Sequence, residues 1–90
     1  MYVSFIHMEY LARVEVSLKP GHSDPQGETI KKALSELNYP VRAVNVSKVY
    51  TIRLEASSLR NAKQKVDEIC RRLLANPVKD NYKFEVEEVR

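Results

Sequence analysis

Three side chains carry the reactive chemistry open to this chain: the thiol of Cys70 and the imidazoles of His7 and His22. A thiol or hydroxyl beside an imidazole makes a nucleophile with its base. Clustered histidines and cysteines hold zinc. Neither arrangement is present, because the three residues lie far apart in sequence and show no ligand spacing. Cys70 sits beside an apolar stripe and reads as a buried structural thiol. His22 stands next to Asp24 in a polar loop, with no serine, cysteine or lysine placed near it by a motif, and reads as a solvated loop histidine. Phosphate-cradling loops need several glycines in sequence, and the chain has only Gly21 and Gly27. The residues therefore name no catalytic group and no metal ligand. One cysteine also rules out an internal disulfide framework and fits a reducing, cytoplasmic location.

The remaining bounds are set by size and charge. Ninety residues make one small domain with a thin core, the kind that leans on a partner. A hydrophobic share of 43% with 30% charged residues is a globular balance. The net charge of +3 is small and the signs are mixed along the chain, which describes a solvated surface and not a nucleic-acid footprint. No apolar run reaches the length of a membrane span. Residues 1–7 are apolar but lack the basic and long apolar regions of a signal peptide. With Met8 following, Met1–His7 reads as an N-terminal extension to a single domain over residues 8–90.

The elements that would position these groups follow from periodicity. Ala12, Val14, Val16 and Leu18 alternate with Arg13, Glu15 and Ser17, the period of a half-buried strand. Lys19–Ser23 is a loop. Asp24 then caps a helix with Pro25 at its first position. Ile30, Ala33, Leu34 and Leu37 share one face of that helix, and Asn38-Tyr39-Pro40 stops it. Val44 and Val46 suggest a second strand. Tyr50, Ile52, Leu54 and Ala56 suggest a third, with Ser47-Lys48 as a tight connection between the two. Ser57 or Ser58 caps a second helix to about Ala75, with Leu59, Ala62, Val66, Ile69 and Leu73 as its buried stripe. Asp67 with Arg71, and Glu68 with Arg72, stand four apart on its outer face. Asn76-Pro77 ends that helix, with Asn76 suited to a left-handed position. Tyr82, Phe84 and Val86 form a last strand. The expected fold is α+β in the order β-α-β-β-α-β, a ferredoxin-like arrangement: a four-stranded antiparallel sheet with two helices on one face.

That architecture serves many functions, so motifs must decide. RNA-binding modules of this strand order carry stacking aromatics on the middle strands; here only Tyr50 and Tyr10 qualify and the ribonucleoprotein signature is missing. An acylphosphatase-like enzyme needs an arginine in the loop after the first strand, and Lys19–Ser23 has none. Two stretches are more constrained than packing requires. In the first, Lys19 to Gly27, Gly27 sits in a first helical turn where glycine is unfavourable, so a close backbone approach by a neighbour is expected there. The second is Leu73-Leu74-Ala75-Asn76-Pro77-Val78, where Leu74 and Val78 either pack inward or form a partner patch.

These stretches are where the sequence resembles the PurS family, the small subunits of the phosphoribosylformylglycinamidine synthase complex of purine biosynthesis. Leu18-Lys19, Gly21 and Asp24-Pro25-Gln26-Gly27 are similar to the family's signature at the first strand and helix. Leu73 to Val78, with Tyr82 beyond, is similar to its C-terminal signature, and Leu37-Asn38-Tyr39 to its first-helix end. The likeness covers about residues 8 to 90. The chain departs from it at Ser47-Lys48-Val49, where only the lysine of a Gly-Lys-Tyr-like step is kept, and at Thr51, where an acidic residue is frequent.

The resemblance implies a non-catalytic subunit that bridges a glutaminase subunit and a synthetase subunit and assists ammonia transfer between them. ATP and magnesium would be used by the synthetase subunit, with no cofactor on this chain, no nucleic acid and no membrane. It also implies a homodimer or higher homo-oligomer. The matched positions Asp24, Pro25, Gln26, Gly27, Asn76 and Pro77 become the expected partner contacts. The alternative is a small ferredoxin-like regulatory module that binds a metabolite at a dimer interface.

Overall fold

Alternation in the first segment builds the central strand. In the structure, a computed structural model that describes residues 8–89, β1 runs over Met8–Leu18 with Tyr10, Ala12, Val14 and Val16 buried on one face. The expected extension Met1–His7 lies outside the described residues. After β1 come α1 (Pro25–Glu36), β2 (Lys48–Ala56), α2 (Leu59–Ile69), a π-helical turn (Cys70–Leu74) and β3 (Asp80–Glu88).

The sheet has three strands in the order β2-β1-β3, all antiparallel. Val14 stands opposite Tyr50 on one side and Phe84 on the other, and Ala12 opposite Ile52 and Val86. These side chains make one apolar face, on which Val66, Cys70 and Ala75 pack to form the main core. A smaller cluster of Tyr10, Ala56 and Ala62 closes the far end. The opposite face carries Arg13, Glu15, Arg53 and Lys83, with Arg53 paired to Glu9 at 2.8 Å and Lys83 to Glu15 at 3.3 Å.

The sheet has three strands where four were expected. Val44 and Val46 form no strand among the described residues, so the order is β-α-β-α-β. Their backbone groups are used elsewhere: the Val46 N–H donates to Asp24 Oδ2 at 2.9 Å, and the Val44 carbonyl lies against Gly27. The Val46 N–H, given to the helix-capping carboxylate, is not available to a ladder. Nor do both helices cover the sheet. Neither core cluster contains a residue of α1, and Ile30, Leu37 and Tyr39 are exposed.

The two helix ends differ in kind. Asn38, at φ 70°, takes the left-handed position after α1, and Tyr39 N donates to Leu34 O at 2.9 Å while Asn38 N donates to Ser35 O at 3.0 Å. This is the pairing of a Schellman motif with asparagine in the place of glycine. Asn76 does not have positive φ. It instead stops the chain with its side chain, Oδ1 accepting from Val78 N at 2.8 Å.

Ser58 caps α2, its hydroxyl accepting from Asn61 N at 3.0 Å. Of the expected stripe, Ala62 and Val66 are buried, Ile69 is half-buried and Leu59 is exposed. Ala75 N donates to Cys70 O at 2.9 Å, an i to i+5 bond that widens the last turn. The inward positions therefore become Cys70, which is buried, and Leu74, half-buried, while Leu73 is left 79% exposed.

Candidate partner interface

Asp24 organises the start of α1. Its Oδ1 accepts from Gly27 N at 2.9 Å, the expected cap, and its Oδ2 accepts from Val46 N at 2.9 Å. The Val46 and Gly27 amides together hold its carboxyl below the ordinary aspartate value. Gly27 is buried, and a Cβ there would collide with the Val44 carbonyl oxygen. The close approach expected at this glycine is thus made by the chain's own strap before β2. Asp24 and Gly27 serve the inside of the fold, while Pro25 and Gln26 are exposed.

The second stretch folds around Asn76. Its N–H donates to Asp80 Oδ2 at 2.9 Å, and Asp80 N donates back to Asn76 O at 2.8 Å. This leaves Pro77 exposed at the turn and Val78 beside it 75% exposed.

Lys19 joins the two stretches. Its backbone N–H donates to Lys79 O at 2.7 Å, and its ammonium donates to the Pro77 carbonyl at 2.9 Å. The end of β1, the start of α1 and the end of the π turn line an open cleft of about 260 Å³, with Asp24, Pro25 and Gln26 from the first helical stretch and Leu74, Lys79 and Asp80 from the second. Of the six expected contact positions, Pro25 and Gln26 share this cleft with Asp24. Gly27 lies beneath the helix start, and Asn76 and Pro77 stand outside the cleft, tied to it through Lys19.

Behind the second stretch, Tyr82 fixes α2 to β3. Its hydroxyl donates to Asp67 Oδ1 at 2.6 Å, and Arg71 Nε donates to Asp67 Oδ2 at 2.9 Å, closing one of the expected i, i+4 pairs. Tyr82 and then Arg71 lower the Asp67 carboxyl, and that carboxylate in turn raises the Tyr82 hydroxyl. Cys70 beneath them is buried, and burial, with Asp67 adding to it, pushes its thiol up, away from nucleophile chemistry. Among the described residues no group of three or more His, Cys, Asp or Glu is placed to hold a metal ion, and His22 is exposed in its loop.

Sequence reasoning passed over Lys19 and Leu73 as contact residues and left Val78 between core and partner patch; Val78 is exposed. Lys19 belonged to the first stretch, but nothing in a sequence announces a bond to a carbonyl 58 positions away. Leu73 was assigned to the core by a helical period that the π turn breaks. Leu73 and Val78, which flank Asn76 and Pro77 in sequence, are both exposed apolar side chains.

Known proteins place this arrangement in a family. Residues 11–88 match the family model for PurS, described as phosphoribosylformylglycinamidine (FGAM) synthase. The phosphoribosylformylglycinamidine synthase subunit PurS of Methanocaldococcus jannaschii is 38% identical over 81 residues, which cover 89% of this chain and 98% of that protein. The structure of Thermus thermophilus PurS superposes with a TM-score of 0.80 at 37% identity, covering 91% of this chain and 99% of that one. A chain in the structure of PurLQS from Thermotoga maritima superposes with a TM-score of 0.76 at 32% identity, covering 90% and 98%. With the family's match running from the middle of β1 to the end of β3, this chain belongs to the PurS family, the small subunits of phosphoribosylformylglycinamidine synthase in purine biosynthesis.

Proposed function

We propose that the chain acts without catalytic residues of its own, as the piece that seats a glutaminase subunit against a synthetase subunit so that ammonia passes between them. The observation that carries this reading is the Lys19 bond to Pro77, which ties the two family stretches together, with Pro25, Gln26, Pro77 and Val78 each exposed. Ammonia released into water is protonated and ceases to be a nucleophile. A sealed contact between two sites keeps water out and the amine reactive. Such a subunit contributes by positioning. ATP and magnesium are then used by the synthetase subunit, and the complex works in the cytoplasm.

The second part of the proposal is self-association. The radius of gyration is 18.2 Å, against about 12 Å for a compact chain of this length. Ile30, Leu37 and Tyr39 on and after α1 are apolar surface that the chain itself does not cover. Among the described residues both outer strands of the three-stranded sheet also have a free edge, and strand edges pair with a twin. A homodimer or higher homo-oligomer covers this surface.

Assembly tests the contact set. Gln26→Arg and Val78→Asp place charge at two exposed positions, and the Val78 hydrogen bond to Asn76 is made by the backbone N–H, which the substitution keeps. Each is expected to weaken co-sedimentation with the two larger subunits while circular dichroism stays unchanged. Full assembly with both charges present would remove this face from the interface. The cleft favours one competing reading, a metabolite-binding regulatory module, which predicts thermal stabilisation by a metabolite with no protein partner added.

A further inference from the structure

One core-facing position of β2 is not apolar. Strand register sets Lys48 opposite Val16, on the face where Tyr50, Ile52 and Leu54 pack against the core. Lys48 is exposed, and it lines the cleft beside the start of α1 together with Val16, Leu18, Val46, Leu74 and Lys79. A lysine in such a place lays its methylenes on apolar surface and keeps its ammonium in water.

The charges around the cleft are unevenly committed. Asp24 gives both carboxylate oxygens to backbone amides, those of Gly27 and Val46, and Asp80 gives one to the Asn76 amide. The Lys19 ammonium is held by the Pro77 carbonyl. The Lys48 and Lys79 ammoniums have no hydrogen bond and no ion pair among the described residues. Two cations are thus left over beside an apolar lining.

Whatever closes the cleft must answer both features. An ammonium taken out of water is costly unless it is paired. An occupant with apolar side chains alone would strand Lys48, and one with charge alone would leave Val46 and Leu74 unfilled. The cleft is open and holds about 260 Å³, short of the ~300–1,000 Å³ that a pocket for a free small molecule takes. It suits a pair of side chains from a protein surface. We therefore propose that the cleft seats a segment of one of the two larger subunits that presents an acidic side chain beside an apolar one. The apolar side chain lies against Val16 and Leu74, and the carboxylate pairs with the Lys48 ammonium, with Lys79 adding positive charge. The proposal rests on the bridging reading, whose contact residues Pro25 and Gln26 line the same cleft.

Two measurements on the assembled complex test it. A water-soluble carbodiimide joins an amine to a carboxylate in direct contact; an amide bond forms and the carbodiimide takes up the water as a urea. With the full chain and both larger subunits, mass spectrometry is expected to find Lys48 or Lys79 joined to an aspartate or glutamate that neighbours an apolar residue of a larger subunit. In an assembly titration, Lys48→Glu is expected to raise the half-maximal concentration about tenfold, and Lys48→Arg, which keeps the charge, to leave it within about twofold. Lys79→Glu is the second variant in case Lys48→Glu does not fold. Normal assembly of both glutamate variants overturns the proposal and leaves the bridging reading standing, as do links from these lysines to a second copy of the chain alone. An unmodified chain that joins neither larger subunit removes both.

Discussion

The Lys19 ammonium donates a hydrogen bond to the Pro77 carbonyl oxygen at 2.9 Å, closing a loop of 58 residues between the chain's two family stretches. An exposed hydrogen bond of this kind contributes at most about 1 kcal/mol. Lys19→Met should therefore leave the fold intact and raise the concentration of this chain needed for half-maximal assembly by about fivefold. A titration against the two larger subunits measures it. An unchanged midpoint would mean that the two stretches keep their relation without this bond.

Gly27→Ala sets helix propensity against sterics. Alanine is favoured in a helix by about 1 kcal/mol, but here its Cβ meets the Val44 carbonyl. Forcing an extra carbon into such a contact costs typically about 1–3 kcal/mol. Since 1 kcal/mol moves the melting temperature of a domain this small by about 4–8 °C, thermal melting is expected to show a clear fall. A rise would mean that the strap yields freely.

Those two contacts mark where the sequence could be read and where it could not. The alternation from Ala12 to Leu18 and from Tyr50 to Ala56 located two strands, and Asp24, Pro25 and Ser58 located both helix starts. The short pair Val44 and Val46 misled, because β-branched residues report extended backbone but not its partner. That partner turned out to be a carboxylate more than twenty residues away. The glycine in the first helical turn did announce a close approach, though not that the chain itself makes it. Leu73 was lost to a π turn, which a period of 3.6 cannot anticipate. The family stretches were legible as sequence; the lysine that ties them together was legible only in three dimensions.

The π turn leaves Leu73 outside, while Val66, two turns earlier on the expected stripe, stays inside. Leu73→Ser should change the stability of the isolated chain by no more than about 0.5 kcal/mol, as for surface sites in general. Val66→Ala, at a fully buried position, should cost about 2 kcal/mol. Urea denaturation of both variants settles which residue belongs to the core. A large loss at Leu73 would restore the regular helix.

Asp24 and Asp67 make stability depend on acid. Both carboxyls are lowered in the fold, Asp24 first by the Val46 amide and Asp67 first by Tyr82, from an ordinary value of 3.8. A group whose folded value is depressed contributes stability above its unfolded value and loses it as pH falls through the folded one. Urea midpoints should be steady near neutrality and fall as pH drops through 3.8 and below. Tyr82→Phe should flatten that fall by removing the largest cause of the Asp67 shift. Tyr82 itself is raised from 10.0, so its contribution is present below that pH and is lost as pH climbs through its folded value. An acid limb unchanged in Tyr82→Phe would contradict the role given to the Asp67 pair.

The most direct test of the bridging role is the synthetase rate of the two larger subunits with glutamine and, separately, with added ammonia, each with and without this chain. The account predicts that the glutamine-dependent rate requires the chain and that the ammonia-dependent rate does not. Equal dependence of both rates, or indifference of both, would contradict it.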